Sequence, residues 1–310
     1  MRTIAACASN SMILRVLLLA AIIAAAHSQT LLWNFNASYG ITAGTVFSGD
    51  KLLVGSQDCR LYALDAFNSG SLLWTYTLPT FDPQQKSFVK QPCKILSAPV
   101  VGQNSIVYLN SADGFLYALN AASRTSPAVK VWSFPDTASL GGQTSPVLSA
   151  DGDVVYTCIV QSLFAIDAAT GVKKWNASYA AQVSTTPALS NGNQVLGQPI
   201  LFFGTAHGFL VALRASDGSQ AWNYSVGTAT GIRSSPTLGN HNGTTWVYFG
   251  CRNKNVYSLN ASSGALEWMY PTSAEVRASP TLDDLNPDGP ALYVSPLQCF
   301  GHVVIVMNEV

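Results

Sequence analysis

Ile166-Asp167-Ala168-Ala169-Thr170-Gly171, followed by Trp175, is the clearest copy of a cassette that this chain carries five times. An earlier copy runs from Leu64-Asp65-Ala66 to Gly70 and Trp74. Later ones run from Leu213-Arg214-Ala215 through Gly218 to Trp222, and from Leu259-Asn260-Ala261 through Gly264 to Trp268. A degenerate copy, Leu119-Asn120-Ala121, reaches Trp132 through a longer loop. The residues opening the copies, Tyr62, Tyr117, Phe164, Val211 and Tyr257, stand 55, 47, 47 and 46 positions apart. A fixed period of that size means stacked supersecondary units rather than one irregular domain.

Residues 234–270 show how one unit is built. Ser234 to Gly239 is short, with small polar residues. Thr245 to Gly250, Asn255 to Leu259 and Ala265 to Tyr270 are β-branched and aromatic runs of strand length. The linkers between them are rich in Gly, Asn and Ser, as turns require. Four short antiparallel strands, A to D, in each unit predict the blade of a β-propeller. The other units fall into register through Ser97-Ala98-Pro99, Thr144-Ser145-Pro146, Thr185-Thr186-Pro187 and Ala278-Ser279-Pro280. These mark the innermost strand A, with the donor-less proline at its start or at a bulge. The Asp or Asn of the cassette caps the C–D turn through its own backbone, and Gly supplies the positive φ. Trp33, Trp74, Trp132, Trp175, Trp222 and Trp268 are read as structural. Each fills the gap towards a neighbouring blade and needs a carbonyl for its indole N–H.

These residues resemble the PQQ-type propeller repeat of the quinoprotein alcohol dehydrogenase-like superfamily, akin to WD40/YVTN-like repeats. Gly55 with Leu61-Tyr62-Ala63-Leu64-Asp65 and Trp74 carries the likeness, as does Gly204 with Gly208 to Leu213 and Trp222. The resemblance spans essentially all of residues 29–310 and implies an all-β propeller domain there. PQQ and calcium are the cofactors it implies for the dehydrogenases. A similar architecture serves bacterial outer-membrane assembly lipoproteins as a protein-docking disc. At the N-terminus, residues 31–35 look like an isolated strand D. Residues 279–307 supply strands A, B and C of a last unit, so joining them would close a sixth blade and remove two free edges. The alternative is an incomplete seven- or eight-bladed propeller, as in the dehydrogenases.

Charged residues make up only 10% of the chain and the formal net charge is zero. Nucleic acid is therefore not an expected partner, since gripping it takes a basic face. Arg2 and Arg15 precede the apolar run from Val16 to Ala26, and small residues at Ala26 and Ser28 fit cleavage before Gln29. Residues 1–28 thus read as a secretory signal peptide, with a signal anchor or a transit peptide as competing readings. The run is too short to span a bilayer, which takes about 20 residues. The expected product is secreted or lumenal, with no membrane span. Five sequons begin at Asn36, Asn176, Asn223, Asn242 and Asn260. The first four are expected to carry glycans, whereas Asn260 stands at the turn-capping position and should be modified least.

No nucleophile elbow, His-Glu-x-x-His, Walker loop or Cys-x-x-Cys occurs. The adjacent cysteines, calcium set and catalytic aspartate of the quinoprotein dehydrogenases find no match either. Catalytic residues are therefore not assigned, no cofactor is expected, and the leading reading is a non-catalytic binding or scaffold module for a protein or a small anionic ligand. The alternative that the resemblance implies is a PQQ-dependent alcohol dehydrogenase-like oxidoreductase, as a truncated copy. Two constellations remain. Three residues before the strand-A proline stand Gln143, Ser184, Arg233 and Arg277. These could converge at an axial channel and bind a carboxylate or phosphate, or each arginine could pair with a local carboxylate such as Glu275. Asp284, Asn286 and Asp288, followed by Gly289, space oxygen ligands as a calcium loop does and resemble the loops of integrin-type propellers. A plain polar turn is the alternative. Among the cysteines, Cys59 with Cys93 and Cys251 with Cys299 are the expected disulfides, Cys158 stays free, and all five are expected on one face of the disc. The leader is tested by N-terminal mass spectrometry of the exported chain. Gln29 should be its first residue, and a retained Met1 would reject the secretory reading.

Overall fold

A computed structural model describes residues 14–15, 33–68, 70–79, 93–135, 144–190, 195–227, 230–241, 243–283, 291–296 and 303–306. The chain divides into two compact halves, residues 1–143 and 144–310. Its architecture is all-β, made of four-stranded antiparallel blades in which sequence neighbours pair.

The first half holds two such blades. Thr45–Ser48, Lys51–Gly55, Arg60–Asp65 and Leu72–Thr77 form blade 1. Val100–Val101, Ile106–Asn110, Phe115–Asn120 and Val129–Pro135 form blade 2. The second half opens with blade 3, strands Val147–Leu148, Val154–Ile159, Ser162–Asp167 and Lys173–Ser178. Blade 4 follows as Ala188–Leu189, Ile200–Gly204, Phe209–Arg214 and Gln220–Ser225. Thr237–His241, Thr244–Gly250, Asn255–Asn260 and Leu266–Pro271 make blade 5. A last sheet is described with three strands, Thr281–Asp283, Ala291–Val294 and Val303–Val306. The expected pairing of residues 31–35 with this sheet is not among the described ladders. Asn34–Phe35 instead pairs antiparallel with Leu14–Arg15. The rest of the expected leader lies outside the described residues.

Strands B and C are buried on both faces. Alternate side chains therefore feed two different inter-blade cores, so these strands read as continuous apolar runs. Phe202, Leu210, Val247, Phe249 and Leu259 build one such core between blades 4 and 5. Strand A starts directly after the proline of each Ser/Thr-Pro segment, at Val100, Val147, Ala188, Thr237 and Thr281. A proline just outside the ladder removes no strand hydrogen bond.

The cassette tryptophan is set by a bulge. In every complete blade the residue before it is unpaired, because Trp74, Trp132, Trp175, Trp222 and Trp268 oppose a strand-C residue one step out of register. That strand-C residue is always small: Ala63, Ala118, Ala165, Ala212 or Ser258. Its smallness lets the indole meet an aromatic ring of strand B across it. Tyr108–Trp132, Tyr156–Trp175, Phe202–Trp222 and Tyr248–Trp268 have ring centroids 5.7, 5.9, 5.6 and 6.0 Å apart.

Three of these indoles, Trp74, Trp175 and Trp222, dock on the C–D turn of the following blade. Trp74 Nε1 donates to Ser123 O at 3.0 Å, Trp175 Nε1 to Ala215 O at 3.1 Å and Trp222 Nε1 to Ala261 O at 2.9 Å. The ring lies on the turn glycine, where a Cβ would fit nowhere. One built on Gly218 falls 2.5 Å from Trp175, and one on Gly264 falls 2.8 Å from Trp222. Trp33 stands in the same relation to Gly70, as its place in the sequence requires. The turn glycines have φ of 63, 74 and 72° at Gly70, Gly218 and Gly264, so a side chain meets backbone strain as well.

Gly264→Ala should therefore destabilise the fold by about 2 kcal/mol or more, combining a left-handed backbone penalty of ~1–2 with ring displacement. In a Trp222→Ala background only the backbone part should remain. Urea unfolding of the two single variants and the double variant measures this coupling, and an unchanged glycine cost would show that the ring does not rest there.

Candidate ligand-binding rim

The Ser/Thr pair before each strand-A proline divides its work. The first hydroxyl serves its own blade: Thr185 Oγ1 accepts from Gly204 N at 2.7 Å, Ser234 Oγ accepts from Gly250 N at 3.0 Å, and Thr144 Oγ1 donates to Cys158 O at 3.0 Å. The second joins blades. Ser145 N donates to Thr186 Oγ1 at 2.9 Å, Thr186 N to Ser235 Oγ at 3.0 Å and Ser235 N to Ser279 Oγ at 3.1 Å. This belt satisfies backbone donors that the short strand A leaves outside its ladder.

The residue before each pair belongs to the candidate rim, and the aliphatic residue before that fixes its place. Ile95, Ile232 and Val276 are buried against Gly55, Gly204 and Gly250, where a Cβ would come within 2.3, 2.5 and 2.1 Å of them. Their N–H groups donate to Ser56 O, Thr205 O and Cys251 O, the B–C turn of the preceding blade. Ser184 follows Val183, whose N–H donates to Val160 O in the same manner. Ser184, Arg233 and Arg277 are thus brought to equivalent positions on successive blades. Gln143 lies outside the described residues.

The three do not form a common anion site. Ser184 Oγ donates to Ile232 O at 2.5 Å, which ties it to the next blade. Arg277 Nη2 lies 2.8 Å from Glu275 Oε2, and the same oxygen accepts from Arg252 Nε at 3.3 Å. The two guanidinium groups hold the Glu275 carboxyl below the usual carboxylate range, Arg277 having the larger effect. Only Arg233 is exposed and makes no ion pair among the described residues. PQQ carries three carboxylates and a quinone, and would need several uncompensated donors aimed at one point. One free arginine beside a neutralised one does not fit it.

Sequence reading missed a second set of polar residues, although the spacing Asp/Asn-x-x-x-Tyr signals it. In the B–C turns, Tyr62 Oη donates to Asp58 Oδ2 at 2.5 Å and Tyr117 Oη to Asp113 Oδ2 at 2.8 Å. Asn253 Nδ2 lies 2.6 Å from Tyr257 Oη. Burial pushes the Asp113 carboxyl up, outweighing its hydrogen bonds, and pushes the Tyr117 hydroxyl up as well. Each pair joins the B–C turn to strand C of its own blade.

The remaining candidates separate. Cys59 and Cys93 form a disulfide with Cα atoms 5.0 Å apart. Leu78 N donates to Cys59 O and Ile95 N to Ser56 O, so both ends of the segment between blades 1 and 2 are tied to one turn. Cys158 is free and buried, and desolvation raises its thiol. Cys251 is also a free, buried thiol, with Sγ 3.7 Å from Gly231 O. Its expected partner Cys299 lies outside the described residues, as do Asp284, Asn286 and Asp288 of the expected calcium loop. No cluster of metal-binding side chains occurs among the described residues. Asn36, Asn176 and Asn223 are exposed, Asn242 is outside the described residues, and Asn260 Oδ1 accepts from Ser262 N and Ser263 N.

A family model described as outer membrane protein assembly factor BamB, built on the PQQ repeat, matches residues 20–160 and 137–248. The chain belongs to this family. Among curated relatives, the quinoprotein alcohol dehydrogenase PedH of Pseudomonas putida is 31% identical over 153 residues, 46% of this chain and 25% of PedH. Outer membrane protein assembly factor BamB of Salmonella typhimurium is 30% identical over 104 residues, 31% of this chain and 25% of that protein. The matched stretch thus spans about a quarter of each curated relative. Among solved structures, BamB from Moraxella catarrhalis superposes with a TM-score of 0.51 at 18% identity, covering 87% of this chain and 84% of that one. The quinohemoprotein alcohol dehydrogenase ADHIIG from Pseudomonas putida HK5 gives 0.66 at 15% identity, covering 84% and 51%. These structures share the propeller fold.

The Tyr–Asp pairs yield a pH-dependent expectation. A carboxyl raised by burial makes the fold lose stability as pH climbs through its ordinary range, because the unfolded chain ionises first. Asp113→Asn keeps the polar partner, as Asn253 does in blade 5, and removes the buried charge. Its melting midpoint should rise at pH 7 by about 2–4 °C, the shift that ~1 kcal/mol produces in a chain of this class. The gain should vanish at pH 3, where Asp113 is protonated in both states. A gain independent of pH, or a loss at pH 7, would contradict the assignment.

Proposed function

We propose that this member of the PQQ-repeat propeller family is a non-catalytic binding or scaffold module that works outside the cytosol. The observation carrying the reading is the use of polar residues at the rim. Ser184 is tied to the neighbouring blade, Arg277 is compensated by Glu275, and the second hydroxyls of the strand-A segments join blades. What these groups build is a rigid support for surface segments rather than a cofactor cradle. Such a module takes a protein, or a small anion at Arg233, as its partner. Among the described residues no helix is long and apolar enough to cross a membrane, and the Val16–Ala26 run with its flanking residues supports export.

The second reading is a PQQ-dependent oxidoreductase, and the stretch shared with PedH favours it. One titration separates the two. The purified chain is incubated with PQQ and calcium, desalted, and assayed for retained quinone absorbance and for alcohol-dependent dye reduction. Neither signal should exceed the blank, while affinity purification from the native host should recover a stoichiometric protein partner. Retained quinone with alcohol-dependent turnover would establish the oxidoreductase reading instead.

A further inference from the structure

Two of the sequons occupy the same place on adjacent blades. Asn176 and Asn223 each directly follow the cassette tryptophan on strand D, in the segments Lys173–Ser178 and Gln220–Ser225. Trp175 and Trp222 face inward to their docks, so strand alternation turns both asparagines outward. Both are exposed. Asn176 Nδ2 lies 3.4 Å from the hydroxyl of its own sequon residue Ser178, and Asn223, paired through its backbone with Val211, is exposed. Among the described residues these strands pair only with strand C, leaving a free outer edge.

The surrounding side chains follow the same division. Strand D of blade 2 exposes Val129 and Val131, and that of blade 5 exposes Leu266, Met269 and Tyr270. Strands Lys173–Ser178 and Gln220–Ser225 expose no large apolar side chain, although Val172 does so just before the first. Met269 stands in blade 5 where Asn176 and Asn223 stand in theirs. The strand segments that carry the two sequons thus present a polar rim to a sugar chain.

We propose that Asn176 and Asn223 are N-glycosylated, and that their glycans cover the outer edges of blades 3 and 4 against pairing with other strands. The inference rests on the export reading above. In the transfer, an oligosaccharide moves from a lipid-linked diphosphate donor to the asparagine. A bond forms between Nδ2 and the anomeric carbon, the bond from that carbon to the diphosphate oxygen breaks, and the lipid diphosphate leaves. The amide proton passes to solvent, and no oxidant or reductant takes part.

Asn260 is the internal control. Its Oδ1 caps the C–D turn through Ser262 N and Ser263 N, and the carbonyl of Ala261 inside the same sequon accepts from Trp222. This sequon is thus folded into a capped turn with Asn260 half-buried, unlike the exposed Asn176 and Asn223, and it should stay bare.

The test is glycopeptide mass spectrometry of the full chain, with its own leader, secreted from a eukaryotic cell. Enzymatic deglycosylation marks each occupied asparagine by converting it to aspartate. Asn176 and Asn223 should both be occupied and Asn260 bare. Asn176→Gln and Asn223→Gln should each lower the mass by one glycan. Because the wild-type map needs no variant, it stands even if a variant misfolds. Either asparagine bare in a chain whose leader has been removed overturns the proposal, and so does a chain that keeps its leader and stays in the cytosol. Quinone retention in the titration above reports on the scaffold reading separately, so failure of one is not failure of the other.

Discussion

Within each half, consecutive blades share a recurring joint, the indole that leaves strand D of one unit and rests on the C–D turn of the next. Its geometry depends on parts distant in sequence. The bulge before the tryptophan aims the ring, the small strand-C residue beneath it gives clearance, and the glycine of the following turn removes the Cβ that would collide. The acceptor carbonyl Ala261 O belongs to a turn that Asn260 caps, whereas in the turn of Ala215 the cassette position is Arg214 and Asp217 accepts from Ser219 N instead. Losing any one part exposes an indole N–H without a partner and a cleft between two sheets. That shared dependence is why the cassette repeats as a block rather than as separate residues.

The parts of this joint that were legible in the sequence are those with a strict chemical requirement. Asp or Asn followed by Gly marks a capped turn wherever it occurs, and a tryptophan at fixed distance implies a carbonyl to receive it. Trp33 could be placed for the same reason, as the tryptophan of an isolated strand D, and its ring lies against Gly70. The bulge was not legible, since Leu73, Val131, Lys174, Ala221 and Glu267 share no property beyond position. Asp58, Asp113 and Asn253 were overlooked because single polar residues in turns are ordinary. Only their common distance from Tyr62, Tyr117 and Tyr257 sets them apart. The rim was half legible: the register of Ser184, Arg233 and Arg277 follows from the proline, but their partners do not. Ser184 reaches a backbone carbonyl, an acceptor that every sequence offers equally.

A repeat fold restricts where specific chemistry can reside, because positions that all copies share are needed for the joints between copies. Function has to use positions at which the copies differ. The residue after the tryptophan is one, running Thr75, Ser133, Asn176, Asn223 and Met269. The rim position is another, running from Leu96 to Arg277.

The difference between Arg233 and Arg277 shows how local packing decides the charge displayed at such a position. In the linker before the last sheet, Glu275 precedes Arg277 by two residues and also meets Arg252 of the preceding B–C turn. In the linker before blade 5, the corresponding residues are Gly231 and Ala206. Here the chains approach so closely that a Cβ on Gly231 would lie 2.8 Å from Ala206 O. No carboxylate can be carried at that glycine without moving the backbone, so Arg233 is left uncompensated by the packing itself. In the linker before the last sheet, Glu275 stands in place of that glycine, and its carboxylate pairs with both Arg252 and Arg277. The residue two before the rim position, glycine or glutamate, therefore sets whether the arginine there is compensated, and the rim differs from blade to blade for that reason.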